Sequence, residues 1–360
     1  MNDRLGRFGP RELFSLSTIC TLLFGCFSTD ESGLYDTGNQ LHFATLTALL
    51  LSVLLLYGCI AGLRRAGADS LGALLRRMPR FWGILTAAAL TLALLLAAAL
   101  PGLRFLRALT GFIYIDANPM RILLYCVPCL VLLSALGMET LCRTGRILLP
   151  ITLFVTLIGL GSDIPLYRLY RLFPLFTSGE KLLRQSLVSL LRFVPVVLIL
   201  LTTARGAQGW EHVRRAGTMG LLLGGALTIL AEICLGLSYR YTELRELSAP
   251  LYRLMVEIDT DNASVRLDRV VLFVWTMAAL FASACAVYAA SLLLSETAGV
   301  RDVRPIAVLL SAVTGTAVLL LRRADDLGIP ALFWVHRIGC AFAVLPLAAP
   351  MPGRKRRCAA

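Results

Sequence analysis

Histidine is nearly missing from this chain, with three in 360 residues, and none is spaced as a metal ligand would be. No Walker A loop, no dinucleotide-binding glycine fingerprint and no nucleophile with a partnered base can be assembled, so neither a metal, a cofactor nor an enzymatic activity is expected. Strict apolar–polar alternation is absent, which excludes a membrane β-barrel. Charge is short as well: only 16% of residues are charged, and they collect between apolar runs. A second CxxC or a partnering histidine is lacking beside Cys126 and Cys129, and most of the ten cysteines (Cys20, Cys59, Cys126, Cys129, Cys234, Cys285, Cys340) lie inside apolar runs. They read as small buried hydrophobes rather than as a disulfide or redox framework.

What the chain has in abundance is hydrocarbon. It is 58% hydrophobic with a mean hydropathy of +0.76. About ten apolar stretches lie at roughly 13–27, 41–63, 81–100, 119–136, 147–160, 187–203, 219–237, 270–294, 306–321 and 331–347. A bilayer core of about 30 Å is crossed by about 20 helical residues, and in lipid each backbone amide must be satisfied within its own segment, so helices are the spanning element. The reading is an all-α polytopic membrane protein, a single integral membrane domain over 1–360. The first run leads into further spans without a small-residue cleavage site, so it is not expected to be a signal peptide.

The net charge of +13 is carried by arginines that flank the spans. Such residues meet anionic head groups and set orientation, so membrane lipids are expected partners and nucleic acid is not. Arg4, Arg7 and Arg11, then Arg64, Arg65, Arg76, Arg77 and Arg80, then Arg354 to Arg357 fall on one side of the membrane; the first opposite loop, 28–40, carries Asp30, Glu31 and Asp36 and no basic residue. Both tails, 1–12 and 349–360, are therefore placed in the cytoplasm. In the outer loop 240–269, Leu251, Leu254, Met255 and Ile258 recur at helical spacing, as in an amphipathic helix along the surface.

Three blocks carry a family resemblance. Gly137 to Pro150 reads GMETLCRTGRILLP; Ala249 to Trp275 contains APLYRLMVEI and then VRLDRVVLFVW; Gly299 to Pro305 reads GVRDVRP. In order and spacing these resemble the spore germination permease family, the B subunits of germinant receptors of endospore-forming bacteria. The resemblance implies the amino acid–polyamine–organocation transporter superfamily and a leucine-transporter-type bundle of two inverted five-helix repeats, here about 13–162 and 185–348. In such folds the first and sixth spans break near the midplane and present helix ends to the ligand. Carried onto this chain, the breaks fall near Gly25-Cys26-Phe27 and Phe193-Val194-Pro195. Cys26-Phe27 and Val196-Val197 stand where the family tends to have two glycines and a Gly-Glu pair.

Arg192 lies inside the sixth span, where an ionised side chain costs about 2.5–3.5 kcal/mol on insertion scales. Two arrangements meet that cost: a counter-charge, from a ligand carboxylate or an acidic neighbour, or snorkelling to the head groups. Glu232 in the seventh span has three readings: a proton site, a partner for a basic group, or a protonated acid bonded to a neighbouring helix. His336-Arg337 reads as interfacial or interhelical. By resemblance Ser283, Ala284 and Tyr288 on the eighth span flank the binding site, with Tyr288 as a hydroxyl donor or as plain helix packing. The expected ligand-binding set is Gly25, Cys26, Phe27, Arg192, Phe193, Pro195, Ser283, Ala284 and Tyr288. The function the resemblance implies is nutrient sensing, with an amino acid as germinant, alongside a larger membrane A subunit and a lipoprotein C subunit, in the spore inner membrane or the cell membrane. An amino acid permease working by alternating access is the competing reading, and an intramembrane enzyme using Glu232 or Arg192 a third.

Overall fold

A computed structural model of the chain describes residues 6–27, 37, 40–110, 118–162, 164–173, 179–207, 209–244, 254, 267–300, 302–321 and 328–342. Among these residues the regular structure is helical throughout. We label the helices α1 (Pro10–Phe27), α2 (Leu41–Arg65), α3 (Leu71–Arg77), α4 (Arg80–Ala108), α5 (Pro119–Leu136), α6 (Met138–Ser162), α7 (Gly179–Thr203), α8 (Trp210–Ser238), α9 (Leu267–Ala298), α10 (Arg304–Leu321) and α11 (Gly328–Phe342). Eight of them, α2 and α4 to α10, are long and apolar enough to cross a membrane. The chain is an integral membrane protein. The first helix, of 18 residues, and the last, of which 15 are described, complete ten positions, while α3 is a short connecting helix.

The helix ends carry local chemistry. Asn118 caps α5 by accepting from the Met120 amide at 3.0 Å, with Pro119 at the first helical position. Ser70 caps α3 by accepting from the Ala73 amide at 3.2 Å. Gly137, at φ 93°, turns the chain from α5 to α6 in one residue, a conformation that a Cβ disfavours.

Burial separates core helices from lipid-facing ones. In α1, Leu13 and every residue from Ser15 to Phe27 are buried, so α1 is covered on all sides and its pattern shows no clean stripe. In α5 only Leu130 and Ser134 are buried, which places it at the periphery.

Packing pairs the helices across the two halves. α1 lies on α8 as α7 lies on α2; α4 crosses α9; α4 meets α10 and α11 as α9 meets α5 and α6; and α5 packs on α10. An exchange of the first five long helices for the second five maps each of these contacts onto another, as two inverted five-helix repeats require. The close pair α1–α8 is a seam of small residues. A Cβ on Gly220 would sit 2.5 Å from Ser17 Cβ, and one on Gly224 would sit 2.6 Å from the Thr18 carbonyl oxygen. Such residues let helix backbones approach where apolar burial gives no driving force over lipid.

Several expectations change. The sixth span is not broken at Phe193-Val194-Pro195: α7 is continuous from Gly179 to Thr203 with Pro195 inside it. Pro101, Pro128 and Pro150 likewise sit inside continuous helices. A proline removes one ladder bond, and in a bundle the neighbouring helices hold the segment in place. α1 is also helical through Gly25, Cys26 and Phe27, where it ends. The fifth span is longer than expected: α6 starts at Met138, directly after the Gly137 turn, and Glu139 and Arg143, one turn apart, pair on its outside. Cys126 is half-buried and Cys129 exposed, because α5 faces outward. The acidic loop 28–40, except Thr37 and Gln40, the amphipathic stretch 249–258, except buried Leu254, and the tail 349–360 lie outside the described residues.

Candidate functional site

A buried polar cluster lies where α1 and α8 finish and α2 begins, beside the middle of α7. Arg192, in the middle of α7, is only 5% exposed and Glu232 of α8 only 4%. Their ion pair, Arg192 Nη1 to Glu232 Oε1, measures 3.1 Å. The same Nη1 donates to the Gly25 carbonyl oxygen of α1 at 3.2 Å. Nη2 donates to Thr45 Oγ1 of α2 at 2.8 Å and to Ser189 Oγ at 2.6 Å. Thr45 in turn donates to Glu232 Oε1 at 2.9 Å, closing a ring of arginine, threonine and glutamate. Four helices, two from each half of the chain, are thus tied through one guanidinium.

The reason for this convergence is electrostatic. Isolated charges of this burial would each cost several kcal/mol, and only a close pair with further hydrogen bonds offsets that. The guanidinium spreads its donors over a planar fork, so one residue reaches α1, α2 and α8 at once. The acidic-neighbour reading of Arg192 is therefore the one realised, and snorkelling is not. Glu232 is the partner of a basic group, and its second oxygen, Oε2, is buried and accepts no hydrogen bond among the described residues.

Gly25 takes its place for a packing reason. A Cβ there would lie 2.5 Å from Thr228 Oγ1 of α8, so glycine allows α1 to approach α8 and its carbonyl to reach Arg192. Cys26 is buried near the end of α1. Phe27 meets Phe105 and Trp275 edge-on, with centroids 5.5 and 5.4 Å apart, and these rings close the end of α1. Phe193 and Pro195 are buried in α7 beside Arg192.

The eighth-span candidates are held in other contacts. Ser283 donates to the Ala98 carbonyl of α4 at 3.2 Å, and Ala284 is packed in the core. Tyr288 is buried with its hydroxyl beside the α5–α6 turn, 4.0 Å from where a Cβ on Gly137 would lie. His336 is interhelical, its Nδ1 3.0 Å from the Ala93 carbonyl oxygen of α4. Sequence reasoning missed Thr45 and Ser189. Ser189 stands one turn before Arg192, a signal that could have been read; Thr45 carries none, since its role arises from a helix that is remote in the chain.

This fold, with its buried charge ring at the crossing of the two halves, defines a permease-like membrane protein. A Na+-coupled sialic acid symporter, solved in a substrate-bound outward-open state, is similar to the chain with a TM-score of 0.72 at 12% identity, over 96% of this chain and 80% of the symporter. A manganese transporter of Eremococcus coleocola is similar with a TM-score of 0.64 at 13% identity, over 94% of this chain and 78% of the transporter. At these identities the likeness concerns the fold alone. No curated protein sequence matches significantly. The sequence profile of the spore germination protein family matches residues 44–326, and the chain belongs to that family.

Proposed function

We propose that the chain is the nutrient-sensing B subunit of a spore germinant receptor, and that its ligand is an amino acid bound at the junction of α1, α2, α7 and α8. The observation that carries this reading is the buried Arg192–Glu232 pair. An α-amino acid brings one carboxylate and one ammonium, so it can satisfy the guanidinium and the carboxylate separately while the pair opens. A nutrient without both charges would leave a buried ion uncompensated, at a cost of about 3–5 kcal/mol. Glu232 Oε2, which no described residue bonds, is the acceptor available to the ammonium. Gly25, Cys26, Phe27, Arg192 and Phe193 surround the site in this reading, and Pro195 lies one turn further along α7.

Because the pair ties all four helices, its opening would alter how α7 sits on α1 and α8. A larger A subunit and a lipoprotein C subunit would read that change in the spore inner membrane. By the distribution of arginines the site faces the outer side and both termini the cytoplasm. The likeness to solved transporters supports a second reading, an amino acid permease with alternating access.

The two are separated by reconstitution. The purified chain in proteoliposomes should bind amino acids, seen as a ligand-dependent rise in thermal stability, without accumulating labelled solute. Sustained uptake by the chain alone would replace sensing by transport. Loss of stabilisation by every amino acid tested, with response to an uncharged nutrient instead, would overturn the zwitterion site.

A further inference from the structure

An apolar, partly open cleft of about 70 Å³ lies away from the charge ring, between α4, α5, α9 and α10. Its walls include Gly102 and Phe105 of α4, Cys126 of α5, Leu280 of α9 and Gly315 of α10. Among the described residues, no ionisable group other than the Cys126 thiol lines it. The three hydroxyls in the wall are already committed: Thr276 donates to the Leu272 carbonyl at 2.7 Å, Ser283 to that of Ala98 at 3.2 Å, and Thr314 to that of Leu310 at 2.7 Å. A polar ligand would find no free donor there, so the cleft selects for hydrocarbon.

Two of the bordering helices face the bilayer. Leu124 on α5 and Leu320 on α10 are each 67% exposed, as Leu132 and Leu309 are nearly so. Hydrocarbon is the phase that surrounds these helices in a membrane. We propose that the cleft receives an acyl chain of a membrane phospholipid, entering between α4 and α5, which pack little on one another, and lying against α9 and α10. Glycine makes the room on the α4 side: a Cβ on Gly102 would meet nothing nearer than Val318 at 4.0 Å. The occupant would lie against Phe105, whose ring meets Phe27 at the end of α1. The acyl chain thereby buttresses the aromatic wall beside the charge ring.

The test is photo-crosslinking of the full chain in nanodiscs of phosphatidylglycerol and phosphatidylethanolamine, doped with a phospholipid bearing a diazirine midway along one acyl chain. Cross-links are expected on the inner wall, at Gly102, Thr276 and Leu280, as well as on outward positions such as Leu50 and Leu54. Gly102→Leu should fill the cleft and lower the inner-wall cross-links about tenfold, as an overpacking clash implies, with those at Leu50 and Leu54 unchanged. Ala279→Leu enters the same space from α9 and is read in the same way should Gly102→Leu fail to reach the membrane. Cross-links confined to outward faces, or inner-wall cross-links that neither substitution reduces, would show surrounding lipid only and overturn the proposal.

Discussion

At the residue scale the molecule turns on one guanidinium. Arg192→Gln removes the charge that compensates Glu232, leaving a buried carboxylate with, among the described residues, only Thr45 to bond it, and destabilisation of about 3–5 kcal/mol is expected. Membrane abundance should fall sharply. Arg192→Gln combined with Glu232→Gln removes both charges, so abundance should recover while ligand response stays lost. Quantitative immunoblotting beside dose–response curves checks both; a double variant as scarce as the single would mean that the ring is held by shape and not by charge. Gly25 is subject to a different force. Gly25→Val places a branched side chain where Thr228 already stands at 2.5 Å from the Cβ position, at a cost of about 1–3 kcal/mol for overpacking. Reduced abundance is expected, partly restored by Thr228→Gly. A Gly25→Val variant that matches wild type in amount and response would show that α1 can draw back from α8 at no cost.

At the scale of elements, α7 is the instructive one. Its proline lies inside an unbroken helix whose residues from Arg192 to Thr203 are all buried, so packing holds the segment together where the local ladder loses a bond. Pro195→Ala restores a donor to the helix and should leave membrane abundance unchanged or slightly raised, measured as detergent-solubilised protein. A large loss of folded protein would mean that the ring of Pro195 itself fills a space α8 or α2 requires. The neighbouring elements show how little of such detail a linear pattern carries. The α1–α8 seam rests on Ser17, Thr18, Gly220 and Gly224, which read as ordinary small residues until the two helices are laid together. The loop after α6 docks in a comparable way: the Arg168 amide donates to the Leu237 carbonyl at 3.0 Å, and Arg171 bonds the Ser238 carbonyl.

At the scale of the whole molecule, the charge ring joins two helices of one half to two of the other, so a small displacement of one half against the other is felt by all four helices. The orientation in the membrane is open to direct measurement. Asp69, before α3, and Arg240, after α8, are both exposed and lie at opposite ends of the bundle by the alternation of the spans. In a background without reactive thiols, Asp69→Cys should be labelled only from the cytoplasmic side and Arg240→Cys only from outside, with a cysteine at Gly353 behaving like that at Asp69. Labelling of the positions 69 and 353 from different sides would break the even number of spans.

Most of the architecture was legible because hydrophobic length is a local property: each span announces itself by its own residues, whatever its neighbours do. The family blocks 137–150 and 299–305 could likewise be read in place. Proline was misleading for the opposite reason, since a helix break is decided by whether neighbouring helices hold the segment, and for Pro195 they do. By itself the sequence determined the class, the approximate spans and the presence of two costly charges inside them, because composition alone sets the price of leaving water. Only the tertiary structure decided that Arg192 and Glu232, forty positions apart, answer one another and that Thr45 and the Gly25 carbonyl complete the ring. A buried charge dictates that a partner must exist; which partner it is depends on the packing of four helices distant along the chain.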